Sequence, residues 1–155
     1  MIPIRDEEEL RQIVREVPLD PGFRSLVQAL RAAKAEIVVL SDGYGFYAEE
    51  ICATANLALI SNHVDWRTWS VVFPAISAGC ECPGCGTCKP AAIRAAKREG
   101  RTTVLIGDGA SDRRGAAVAD EVFATAGLME WCSAERLGYH PFGSLADVTT
   151  ALFAE

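Results

Sequence analysis

Residues 103–112 read Thr103-Val104-Leu105-Ile106-Gly107-Asp108-Gly109-Ala110-Ser111-Asp112. The unbroken apolar run Val104-Leu105-Ile106 is the pattern of a strand covered on both faces, as strands of parallel sheets are. It passes directly into an aspartate flanked by two glycines. A second run of the same kind lies upstream, where Ile37-Val38-Val39-Leu40 leads into Ser41-Asp42-Gly43. Parallel strands bring their carboxyl ends to one edge of a sheet, and ligands of open α/β sheets bind at that edge. Two such strands, each ending in a polar glycine-containing turn, therefore predict one site shared by the two turns.

The surrounding sequence supplies the alternation that such a sheet needs. Leu10, Ile13, Val14 and Val17 recur with helical period over residues 7–17, and Pro18 ends that helix. Asp20-Pro21 reads as an N-cap with proline at the first helical position, opening a helix through about Lys34. A helix is expected from about Tyr44 to Ala55, a strand at Leu57–Ile60, and a hairpin or extended loop over 65–73. Residues 79–88 read as irregular; Pro90 opens a helix to about Glu99, which Gly100 closes. Beyond Asp108 the pattern predicts a helix at 112–119, a strand at 122–124, a helix at 127–136 and an extended piece at 139–142. Ser144 and Asp147 have capping-box spacing for a last helix. This is the order of an α/β domain with a mostly parallel sheet. There is no repeat, low-complexity tract or linker, so residues 1–155 are expected to form one domain.

Composition excludes several classes. Half of the residues are hydrophobic and 23% are charged, which suits a globular protein. The net charge of −6 opposes general binding to nucleic acid or an anionic membrane. No apolar run approaches the roughly 20 residues that span a bilayer, and the acidic N-terminus does not read as a secretory signal. The expected location is the cytoplasm. Trp66, Trp69 and Trp131 read as packing residues, and His63 and His140 as a surface and a structural histidine.

The chemistry is expected at the two turns. Ser41 offers a hydroxyl, and the Asp42–Gly43 turn offers backbone N–H groups. Asp108 offers a carboxylate, with Asp112 four residues on. Lys89 begins a helix, where its ammonium joins the exposed N–H groups and positive dipole end in attracting an anion. A hydroxyl, an ammonium and carboxylates at one sheet edge suit a phosphate with Mg2+, a hard cation that takes one or two carboxylates, water and phosphate oxygens. Each motif alone also reads as ordinary turn chemistry; their order along the chain favours the site.

That series, Val39-Leu40-Ser41-Asp42-Gly43, then Lys89, then Val104 to Asp112, resembles motifs II, III and IV of the haloacid dehalogenase superfamily of phosphatases. Cys85-Gly86-Thr87-Cys88-Lys89-Pro90, the tryptophan-containing stretch before it and Tyr139-His140-Pro141-Phe142 are similar to a methionine-salvage branch of that superfamily. The resemblance implies a Rossmann-like parallel sheet with helices on both faces. It implies a Mg2+-dependent phosphatase acting on a small phosphorylated metabolite. By position, Ser41, Asp42, Gly43 and Lys89 would bind phosphate, with Ser41, Lys89, Asp108 and Asp112 as the catalytic set and Asp108 and Asp112 holding Mg2+. Residues 1–20 would be the remnant of a helical cap, and 21–155 would carry motifs II to IV.

One family feature is missing. No strand ending in DxDx(T/V), the source of the nucleophilic aspartate, precedes Ser41; Asp6-Glu7-Glu8 is the only acidic cluster ahead of the first helix. The expectation is therefore a sheet without its usual central first strand, and a polypeptide that hydrolyses phosphomonoesters very poorly by itself. Three explanations stand beside each other: a start at an internal methionine of a longer protein, which is favoured; a strand supplied by another chain; or a contracted sheet in a non-catalytic, zinc-stabilised or phospholigand-binding module.

Four of the six cysteines, Cys80, Cys82, Cys85 and Cys88, fall within nine positions. With glycines and a proline between them they can wrap one tetrahedral Zn2+, closed to catalysis and therefore structural. Such a site would stiffen the loop that delivers Lys89.

Overall fold

The two apolar runs each become a strand with one parallel neighbour, and the helices fill the intervals between strands. The computed structural model describes residues 7–73 and 86–154. Its strands are β1 (Val38–Tyr44), β2 (Ala58–Asp65), β3 (Ser70–Val72), β4 (Val104–Gly107), β5 (Glu121–Ala124) and β6 (His140–Pro141). Its helices are α1 (Glu7–Glu16), α2 (Phe23–Ala32), α3 (Phe46–Thr54), α4 (Lys89–Arg98), α5 (Arg113–Ala116), α6 (Ala126–Glu135) and α7 (Leu145–Phe153).

The strands make two half-sheets, β1-β2-β3 and β4-β5-β6, in which only β3 runs antiparallel. Among the described residues no strand pairs with the inner edge of β1 or of β4. Among the described residues β1 and β4 therefore do not pair directly, so the contracted sheet is not what forms there.

Alternation along β4 and β5 sends side chains to two separate cores. On one face Leu105, Val122 and Ala124 pack with Ile93, Ala116, Leu128 and Cys132 from α4, α5 and α6. On the other face Phe123 meets Leu26 of α2 and Val148 of α7, with Ile106 packed against them. Helices thus cover both faces of this half.

Several local readings change. Asp20 does not cap α2, whose N-cap is Gly22. Its two carboxylate oxygens accept the N–H groups of Gly22 at 2.7 Å and Leu145 at 3.2 Å, so it ties the entry of α2 to the start of α7. The helix expected at 112–119 contracts to a 3-10 turn, Ala110–Asp112, and the single turn α5. Gly115 lies inside it, where a Cβ would come 2.8 Å from Leu105, and Asp120 and Glu121 then give their N–H groups to the Thr103 carbonyl, drawing the chain into β5. The stretch 65–73 resolves as a β2–β3 hairpin. At the last helix Asp147 accepts the N–H groups of Gly143 and Ser144, which lowers its carboxyl pKa, in the capping box that the spacing predicts. No helix among the described residues is long and apolar enough to cross a membrane.

Candidate active site

The register of β1 against β2 shows how the first turn is made. Leu40 pairs with Ile60 and Tyr44 with Asn62, so Ser41, Asp42 and Gly43 together face only Ser61. This bulge releases the three residues from the ladder at the carboxyl end of the strand. The Ser41 hydroxyl accepts the N–H of Gly43 at 3.3 Å and lies 3.2 Å from the Tyr47 hydroxyl.

The second turn, after β4, is built around Asp112. One of its carboxylate oxygens accepts the N–H groups of Asp108 at 3.1 Å and Gly109 at 3.0 Å. The other is paired with the Lys89 ammonium, which also donates to Ser111 Oγ at 3.0 Å. Lys89 and Asp112 are each 6% exposed, so this is a buried ion pair with its remaining acceptors satisfied. Gly107 makes room for it, since a Cβ there would stand 2.7 Å from the Asp112 carboxylate. The Asp108 carboxylate has no hydrogen-bond partner among the described residues.

The structure brings Ser41, Asp42, Gly43, Lys89, Asp108 and Asp112 to one cleft of about 500 Å³, between the carboxyl ends of β1 and β4. Leu40, Tyr47, Ile106, Gly107 and Ser111 complete its lining. Tyr47 and Ser111 were not singled out from the sequence. Ser111 carries no sequence signal of its own between Asp108 and Asp112, and Tyr47 lies four residues past Gly43, where only the structure reveals that its hydroxyl reaches back to Ser41.

Asp42 takes an unexpected direction. Its Oδ1 accepts the N–H groups of Gly86 at 2.8 Å and Thr87 at 2.9 Å. Thr87 Oγ1 donates to the Ser41 carbonyl at 2.8 Å, and Asn62 Nδ2 to the Asp42 carbonyl at 2.8 Å.

For a divalent cation the donor set is narrow. Both Asp112 oxygens already accept hydrogen bonds, whereas no partner for the Asp108 carboxylate is found among the described residues; one or two carboxylates beside a phosphate suit Mg2+. No three His, Cys, Asp or Glu side chains cluster as a metal site among the described residues. Cys80, Cys82 and Cys85 lie outside the described residues; Cys88 is buried at the N-terminus of α4. Of the two histidines, His63 is exposed 3.9 Å from Glu49, and His140 stacks on Phe123.

Comparison with known proteins gives a consistent family signal. The profile of the haloacid dehalogenase-like hydrolases matches residues 1–117. A 2-hydroxy-3-keto-5-methylthiopentenyl-1-phosphate phosphatase of Brevibacillus brevis is 30% identical over 90% of the chain. The same-named protein of an Exiguobacterium species is 29% identical over 96% of it. The chain spans 65% of the length of the first and 71% of the second. Among solved structures, an apo phosphoserine phosphatase superposes with a TM-score of 0.69 at 16% identity, covering 96% of this chain and 73% of its own. A probable phosphoserine phosphatase of Vibrio cholerae gives 0.67 at 21% identity, over 96% of this chain and 49% of its own; at these identities the likeness is one of fold.

Proposed function

As a member of the haloacid dehalogenase-like hydrolase family, the chain has a cleft to which we propose a specific role: holding the phosphate of a small phosphorylated metabolite during phosphomonoester hydrolysis. One observation carries this reading. The Ser41 hydroxyl, the Lys89 ammonium and the Asp108 carboxylate come from three separated segments and line the same cleft.

Phosphoryl transfer depends mostly on positioning and on charge stabilisation. An ammonium has three donors; Ser111 and Asp112 take two from Lys89 and leave one for a phosphate oxygen. The pairing with Asp112 fixes where that proton points, so Asp112 serves by orienting Lys89. Ser41 accepts from Gly43 and carries one proton, which it can give to Tyr47 or to a phosphate oxygen. Asp108 would hold Mg2+, and the bound ion would neutralise charge on the phosphate oxygens.

None of these groups supplies an attacking carboxylate. The inner edges of β1 and β4, which no strand pairs among the described residues, offer hydrogen-bonding groups to an extended segment parallel to both. Such a strand, from an upstream segment or another chain, would carry an acid at its carboxyl end into the cleft. The polypeptide by itself then turns over poorly, in a cytoplasmic setting where Cys80, Cys82, Cys85 and Cys88 stay reduced and bind one structural Zn2+, which elemental analysis reads. The lack of a strand between β1 and β4 among the described residues also favours a second reading, a phospholigand-binding module without turnover.

Two measurements separate these. Calorimetric titration with orthophosphate and Mg2+ should show binding that Ser41→Ala weakens and Lys89→Ala abolishes; wild-type binding in Lys89→Ala would refute the cleft assignment. Fusing an upstream DxD-bearing strand should then produce Mg2+-dependent release of phosphate, with the relatives' 2-hydroxy-3-keto-5-methylthiopentenyl-1-phosphate tried first. Phosphate binding that persists with no turnover in the fusion selects the binding module.

A further inference from the structure

Lys89 is the first residue of α4, and residues 86–88 before it belong to no helix or strand. Even so, Thr87, Cys88 and Lys89 are 4%, 7% and 6% exposed. Something outside the segment has to hold it. The ties run to the end of β1: Asp42 Oδ1 accepts two successive N–H groups, from Gly86 and Thr87, and Thr87 Oγ1 donates to the Ser41 carbonyl. Asn62, 2% exposed, braces the same turn by donating to the Asp42 carbonyl. The fit is close, because a Cβ on Gly86 would come 2.3 Å from the Asn62 amide.

We infer that Asp42 is a positioning residue, whose carboxylate clamps the Gly86–Thr87 backbone onto the end of β1 and thereby sets Lys89 beside Ser41. This rests on the reading of Lys89 as a phosphate ligand. Two physical points favour a carboxylate in this place. Bonds from backbone N–H groups to an ionised acceptor are about twice as strong as neutral ones, so one side chain can hold a segment that lacks secondary structure. A carboxylate turned into the cleft would also repel a phosphate; directed at two amides, its charge faces donors instead. The two expected phosphate ligands, Ser41 and Lys89, are each within two residues of the clamp, so its geometry fixes their separation.

The test is a graded series read by amide hydrogen exchange without phosphate, which keeps it independent of whether the cleft binds anything. Asp42→Ala removes the acceptor, and the Gly86 and Thr87 amides should exchange at least about tenfold faster. Asp42→Asn retains a neutral acceptor oxygen and should fall between Ala and wild type. Ile106 in β4 and Val122 in β5 should exchange at wild-type rates in both. Orthophosphate affinity, measured in parallel, should weaken in the same order. Wild-type exchange at Gly86 and Thr87 in either variant overturns the clamp, as does a uniform rise that includes Ile106 and Val122. A graded exchange with unchanged phosphate affinity overturns the positioning of Lys89. Should Asp42→Ala not fold, Asp42→Asn decides by the same criteria.

Discussion

In β5, Val122, Phe123 and Ala124 are 3%, 2% and 0% exposed, whereas β1 has no buried residue and its Val38 is 38% exposed. The apolar stretches Val38-Val39-Leu40 and Val122-Phe123-Ala124 are comparable in character, so composition does not account for the difference between them; cover does. β5 lies between β4 and β6, with α2 and α7 on one face and α4, α5 and α6 on the other. Among the described residues β1 has a neighbour on one side only, and the fully buried residues of β2 beside it are polar, Ser61 and Asn62. One half of the molecule is thus a finished core. The other is held in good part by hydrogen bonds, at the very turn that carries Ser41.

Core truncation should expose this contrast most strongly. Phe123→Ala removes a fully buried ring from between α2 and α7 and should cost about 3–5 kcal/mol in chemical denaturation. Val38→Ala, at an exposed site in a strand that pairs on one side among the described residues, should cost less than about 1 kcal/mol. Similar losses at both positions would mean that the two halves are equally consolidated, contrary to the burial pattern.

The buried pair across the cleft comes next. Lys89→Met leaves the Asp112 carboxylate buried without its cation, a change that typically costs 3–5 kcal/mol. Asp112 keeps the N–H groups of Asp108 and Gly109, so the low end, about 3 kcal/mol, is expected. The double variant Lys89→Met, Asp112→Leu removes both charges and should recover part of that loss. If Lys89→Met unfolds at the wild-type denaturant midpoint, the pair is more solvated than its 6% exposures imply.

How much of this was legible depended on range along the chain. Helical period placed α1 and α2 within a few residues, Pro90 with Gly100 and the Ser144–Asp147 spacing placed α4 and α7, and the two strand-to-turn transitions located the cleft, because periodicity, caps and turn chemistry are local properties. The same reading failed where a distant partner decides. Asp20 looks like a cap until Leu145 is seen to donate to it. The 112–119 helix is shortened by packing of Gly115 on Leu105 and by the pull of Thr103 on Asp120 and Glu121. Nothing near Asp42 in the sequence signals that it binds amides 44 and 45 residues away. That the α1 stripe would bury no residue, its Val14 and Val17 instead lining a cavity of about 470 Å³ with α2 and α3, was equally unreadable from its period.

The smallest expected effect lies on the finished half, where β4 and β5 begin. Asp120 is held by Lys97, by the Thr103 N–H and by the Thr103 hydroxyl, and together these lower its carboxyl pKa from 3.8 to about 2. The folded state therefore binds fewer protons here than the unfolded chain between those two values. The stabilisation is fully present above the unfolded pKa and disappears as pH falls through about 2. Asp120→Asn removes the titration, so its denaturant midpoint should fall less steeply than that of wild type over this acid range. Salt should shrink the difference, since the Lys97 contact is exposed enough to be screened. Parallel acid slopes in the two proteins would show that the start of β4 is held by its backbone ladder alone, and would narrow the contrast between the halves to their cores.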